Sequence, residues 1–279
     1  MLSVALLVAV IAALRGAWSP CGLSMLSSLN PMSERARGNR FAVTVGWYVF
    51  GAAIGGLLPG GVGAVVACGT SGLGASVRWG LAAVAALIAL SSDAAPFGLH
   101  LPLHPRQVDE RWLTAYRRWV YAAGYGVQIG AGVATYVMTA AVYLTVVLGG
   151  LTGSPLEALL VGVAFGIVRG LTLLLSGRAR TPERLRALLA RVERSGPLSL
   201  RAVMAAEAAV VPVAGFASGG LAGSIIAVAG VGALAVLAAA SAPRRVSDRG
   251  PRGGGATRPP YDGPRAPTGA PAPAARTYR

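Results

Sequence analysis

The sequence predicts an all-α, polytopic membrane protein of about seven transmembrane helices, its core two inverted three-helix repeats with broken first helices. Three observations carry the prediction. Of 279 residues, 54% are hydrophobic and 13% charged, where a soluble domain carries about 25% charged residues. The apolar residues form long runs, as membrane spans require. The 39 glycines suit helices whose backbones approach closely in lipid.

The first apolar segment covers about Leu2 to Ser28. No positive charge precedes it and Arg15 follows its apolar core, the reverse of a signal peptide, so it reads as a retained helix. The second span is about Phe41 to Val66 and the third about Val77 to Ser92. The fourth is long, about Trp119 to Leu148, and the fifth is about Pro155 to Ser176. A weaker sixth covers about Ala202 to Phe216 and a seventh about Leu221 to Ala240.

Charge placement sets the orientation. The net charge is +15, and every basic residue is arginine. Arg35, Arg37 and Arg40 follow span one; Arg106, Arg111, Arg117 and Arg118 follow span three; an arginine-rich stretch from Arg178 follows span five; Arg244 and Arg245 follow span seven. The alternate connections are uncharged. The positive-inside rule then predicts a multi-pass protein with its N-terminus outside and its C-terminus cytosolic. Arginines placed this way argue against nucleic-acid binding and point to anionic lipid headgroups as partners.

The domain reading follows. Residues 1–92 form the first three-helix repeat and 93–118 a cytosolic loop. Residues 119–242 form the second repeat with an additional helix, and 243–279 a disordered Arg/Pro/Gly-rich cytosolic tail. Within the second repeat, "TPERLRALLARVER" from Thr181 has a Thr cap, Pro at the first helical position and an early Glu. Leu185, Leu188, Leu189 and Val192 share one face and arginines the other. An amphipathic interfacial helix over about 181–195 is expected.

Spans one and four share a peculiarity. "GAWSPCG" interrupts one and "GYGVQIG" the other. With Gly16 laid on Gly124, Gly22 falls on Gly130, Pro20 on Gln128 and Cys21 on Ile129. Three spans separate the copies, so the second enters the membrane reversed, as in transporters whose broken helices meet at a midplane site. At 1.5 Å per residue, Cys21 and Gln128 both lie roughly 13 Å from the cytosolic face. Broken helices leave backbone groups that protein, water or a ligand must satisfy. Arg15, Pro20, Cys21, Gly126, Gln128 and Gly130 are therefore the expected solute-binding residues.

"SPCGLSML" resembles the first cysteine motif of the CcdA-type cytochrome c biogenesis proteins, related to the transmembrane domain of the DsbD thiol reductase. The resemblance covers about the first 175 residues. It implies two inverted halves, each with an intramembrane Pro-Cys, a reversible disulfide, a thioredoxin-like partner, and a place in the bacterial cytoplasmic membrane. Pro20 and Cys21 match that motif; the second Pro-Cys is replaced by Gln128 and Ile129. Cys68, the other cysteine, sits at the outer end of span two, farther from Cys21 than the about 4.4–6.8 Å between Cα atoms that a disulfide spans.

Arg15, Arg169 and Glu207 are ionisable residues inside spans, where charge is costly. Arg169 and Glu207 lie at similar depth, roughly 10 Å from the cytosolic edge, and are expected to pair as a gate to a cytosolic vestibule. His100 and His104 in "HLPLH" are separated by Pro102, which prevents the helix that would align them on a metal; no metal or other cofactor is expected. No nucleophile elbow, P-loop or metalloprotease helix is present, so an enzymatic role is expected only as a thiol–disulfide oxidoreductase. The sequence reading is a carrier of a small solute. A CcdA-type electron relay through Cys21 and a non-catalytic scaffold subunit are the alternatives.

Overall fold

The computed structural model describes residues 1–94, 111–132 and 137–241. His100, His104, most of the expected cytosolic loop and the tail lie outside them. Every regular element among the described residues is helical. Four helices are long and apolar enough to cross a membrane: Phe41–Thr70, Ala75–Ala94, Pro155–Arg178 and Pro182–Leu237. A bent pair, Leu2–Trp18 with Pro20–Ser28, makes up to five.

α1 (Leu2–Arg15) runs into a single 3-10 turn (Gly16–Trp18), and the chain then bends by 67° into α2 (Pro20–Ser28). The break sits at the proline for a local reason. Pro20 forces Ser19 out of helical conformation (φ −70°, ψ 153°), and Ser19 becomes the cap of α2. Its hydroxyl donates to the Gly16 carbonyl at 2.7 Å and accepts from the Gly22 amide at 3.0 Å. α3 (Pro31–Ala36) follows, capped by Asn30, whose side chain accepts from the Met32 and Ser33 amides.

α4 (Phe41–Thr70) is the central post. α7 (Arg118–Gly130) lies along its first half, with Gly126 against Tyr48 and Gly130 against Ala52. α8 (Ala141–Leu151) lies along its second half, where the Thr70 hydroxyl donates to the Gly150 carbonyl at 2.6 Å. α9 (Pro155–Leu171), continued by a 3-10 stretch (Thr172–Arg178), packs antiparallel on α4: Gly162 meets Gly56, and Gly170 meets Val49 and Ala52. α5 (Ala75–Ala94) packs on α10 (Pro182–Ser241); the short α6 (Trp112–Ala115) leads into α7.

The stretch expected to interrupt span four does not break the helix. "GYGVQIG" lies wholly inside the regular helix α7, and the break begins after Gly130, at Gly132 with φ +67°. The glycines serve packing instead. A Cβ on Gly126 would lie 2.8 Å from the Ala52 nitrogen, and one on Gly130 would lie 2.7 Å from Ala52 carbon atoms. Only glycine lets the two backbones come this close.

α10 is a hairpin, not a rod. Gly219 and Gly220 are non-helical, Gly220 at φ 62°, ψ −145°. Gly215 packs on Gly223 and Ala227, residues that a straight helix would place roughly 12 and 18 Å away. The chain therefore reverses at the glycine pair and leaves two apolar arms, 182–218 and 221–241. The expected surface helix is the first part of the first arm and is continuous with it. On that part Leu185, Leu188 and Leu189 are half-buried and Val192 is buried, while Arg184, Arg186, Arg191 and Arg194 are exposed.

Small residues dominate the interior: Ala5, Ala9, Ala12, Ala82, Ala86 and Ala89 pack with Leu144, Leu148 and Phe165 in one cluster. The outside is apolar as well. Phe50, Leu58, Val62 and Val65 on α4 and Ile225 and Ile226 on α10 are all exposed. An apolar exterior around an alanine- and glycine-rich interior suits lipid, because burial then gains close packing rather than escape from water.

Candidate functional site

The bend between α1 and α2 encloses a small cavity of about 10 Å³, lined by Gly16, Gly22, Met25, Tyr48, Ile129 and Arg169 among others. That is room for about one water molecule. Arg169, from α9, is buried and reaches the bend. A Cβ on Gly16 would lie 2.8 Å from its Nε atom, so this glycine makes space for the guanidinium. The cation also lies 5.7 Å from the centre of the Phe165 ring, within range of a cation–π attraction. Its electrostatic neighbours are Tyr48 and Cys21.

The expected solute residues only partly converge here. Cys21 is buried and shares a cluster with Ile129, the residue laid over it in the repeat. Pro20 is exposed and Gln128 half-buried. Gly126 and Gly130 face α4, for the packing reason above. Arg15 turns toward the surface helix: one terminal nitrogen donates to the Ser199 hydroxyl at 2.5 Å and to the Gly196 carbonyl at 3.2 Å. The Trp18 ring nitrogen donates to the Val192 carbonyl at 2.7 Å. These bonds cluster where Pro197 lacks the N–H that would continue the helical ladder. The broken helix is thus fastened to the surface helix by two side chains. The cysteines form no disulfide; Cys21 is buried and Cys68 exposed.

The expected Arg169–Glu207 gate is not formed. Both carboxylate oxygens of Glu207 are buried and, among the described residues, without a hydrogen-bond partner. Glu207 lies on the buried stripe of α10, at helical spacing from Val203, Val210, Val211 and Ala214, which pack among α1 and α5 alanines. The sequence gives similar depth for the two residues; helix rotation turns Arg169 to the bend and Glu207 to α5. The electrostatic neighbour of Glu207 is Asp93, which in turn neighbours Arg15. Asp93 holds the start of α8: its carboxylate accepts from the Ala140 amide at 2.7 Å and from the Thr139 hydroxyl. A carboxylate at a helix N-terminus is favourable there. Arg15, Asp93 and Glu207 thus form a line of ionisable groups across α1, α5 and α10.

A second polar cluster was not legible as a site. Glu34, with 0% exposure, accepts from Thr44 at 2.5 Å, from Arg37 at 2.8 Å and from the Tyr121 hydroxyl at 3.0 Å. Asn39 donates to the same Tyr121 oxygen at 3.0 Å. The cluster joins α3, α4 and α7. Its sequence signal is a lone acid among the arginines of "NPMSERARGNR".

The comparisons with known proteins overturn the cytochrome c biogenesis resemblance. The chain is 29% identical over 197 residues to the methylamine utilization protein MauF of Paracoccus versutus, covering 69% of this chain and 71% of the relative. It is 28% identical over 211 residues to the protein of that name from Paracoccus denitrificans, covering 71% and 72%. The Methylophilus methylotrophus protein of that name matches at 29% over 201 residues, 67% of each chain. No family model and no solved structure matches. "SPCGLSML" is a capped helix break, a geometry that Ser-Pro before a helix produces with or without thiol chemistry.

Proposed function

We propose that this chain is a multi-pass cytoplasmic-membrane protein that carries a small amine in methylamine utilization, with Glu207 as the residue that receives it. One observation carries the reading: Glu207 is 1% exposed and both its oxygens lack a hydrogen-bond partner among the described residues. An unsatisfied carboxylate in an apolar interior costs several kcal/mol. It is kept where a proton or cation is bound. A protonated primary amine offers three N–H donors and one positive charge, which match the open acceptors of Glu207 beside Asp93. The relatives' name supplies the substrate class.

The topology we propose has seven spans: the bent α1–α2 pair, α4, α5, α7 with α8 as one broken span, α9, and the two arms of α10. Spans one to three and four to six then form the two inverted repeats. The end-to-end placement of α7 and α8 along α4 and the reversal at Gly219–Gly220 support the count. Arginine placement sets the N-terminus outside.

Uptake of radiolabelled methylammonium into vesicles holding the purified protein tests this. The expected result is uptake above protein-free vesicles, at least tenfold lower in Glu207→Gln. Absence of uptake, or uptake unchanged in Glu207→Gln, overturns the reading.

A further inference from the structure

A second opening is far larger than the cavity at the bend. It is a groove of about 1000 Å³ between α1, the 3-10 end of α9 and the surface part of α10. Its walls are apolar, with Leu14, Leu174, Leu175 and Leu188 among them. Leu14, Leu174 and Leu175 are each about half exposed, so the groove opens to its surroundings. Three arginines line it from two elements: Arg178 from the end of the 3-10 stretch, and Arg184 and Arg191 from α10. None of the three forms an ion pair or a side-chain hydrogen bond among the described residues.

These features ask for one kind of occupant. Leucine walls reject a soluble anion, and three uncompensated guanidinium groups reject a neutral lipid. A molecule with an acyl tail and an anionic head satisfies both. One water occupies about 30 Å³ of liquid, close to the volume of a methylene, so the groove holds roughly thirty methylenes, the tails of one phospholipid. Arginine also binds a phosphate oxygen pair with its two-pronged donor face.

We propose that this groove is a binding site for a single anionic phospholipid of the cytosolic leaflet, its tails along Leu174, Leu175 and Leu188 and its phosphate held by Arg178, Arg184 and Arg191. Trp18 joins the groove to the broken helix. Its ring also lines the groove, while its nitrogen bonds the Val192 carbonyl. A lipid seated here therefore braces the surface helix against the turn that precedes the α1–α2 bend.

Native mass spectrometry of the full chain, released from detergent with added phosphatidylglycerol or phosphatidylcholine, reads the site directly. The wild type is expected to retain one phosphatidylglycerol in preference to phosphatidylcholine. Each arginine near a membrane surface favours anionic lipid by about 1 kcal/mol, about fivefold per residue. Arg178→Gln/Arg184→Gln/Arg191→Gln together should weaken retention by about 100-fold. Arg186→Gln/Arg194→Gln, which removes charge from the same helix outside the groove, should leave it within about twofold. Leu175→Trp, which fills the groove without changing charge, should also displace the lipid. Equal retention of both lipids, equal losses in the two arginine sets, or competition by inorganic phosphate would each overturn the proposal. The readout needs no uptake, so it stands or falls apart from the amine-carrier reading.

Discussion

Replacing Glu34 by alanine should destabilise the protein by several kcal/mol. The carboxylate is fully buried and accepts from three side chains on α3, α4 and α7. Arg37 is partly exposed and recovers water when Glu34 is lost, so its share is small. Thr44 is buried and Tyr121 nearly so. Each loses a hydrogen bond to a charged group, about 1.5–3 kcal/mol apiece. The side chain's removal also leaves a cavity. The sum is roughly 4 kcal/mol, and at about 2–4 °C per kcal/mol for a chain of this size the midpoint should fall by about 8–16 °C. Thermal unfolding in detergent, followed by tryptophan fluorescence, measures it. Glu34→Gln keeps the shape and one acceptor oxygen and should lose about half as much. A Glu34→Ala midpoint within 2 °C of wild type, a shift below about 1 kcal/mol, would refute the claim that this cluster holds the three helices together.

Two further outcomes follow from packing and exposure. Gly130→Leu should abolish folded protein, because the side chain would have to enter α4 at Ala52; the overpacking cost exceeds about 3 kcal/mol when backbone cannot yield. A wild-type yield of monodisperse Gly130→Leu protein on size exclusion would contradict the α4–α7 contact. In intact protein, maleimide should label Cys68 and not Cys21, with Cys21 reacting only after denaturation. In spheroplasts a membrane-impermeant maleimide should reach Cys68 from outside; labelling only after lysis would reverse the proposed orientation.

Composition, hydropathy and arginine placement were enough to establish that the chain is helical and carries segments apolar enough for a membrane. Those properties depend on residue type along the chain, and the sequence states them directly. The break at Ser19–Pro20 was equally readable, since a proline without an N–H acts on its own backbone wherever the fold puts it. Gly219 and Gly220 fall in the uncharged connection expected between the last two apolar segments, and a glycine pair can take the non-helical conformation found there.

What the sequence could not decide was which neighbour each residue meets. Glycine marks a break and a close helix contact with the same letter; only α4 lying against α7 shows that Gly126 and Gly130 serve contact. Arg169 and Glu207 match in depth, yet the rotation of each helix about its own axis sends one to the bend and the other to α5. That rotation depends on side-chain shape across four helices at once. Glu34 shows the same limit: its partners are ten and 87 residues away, and only tertiary packing, which must satisfy a buried carboxylate, brings them to it.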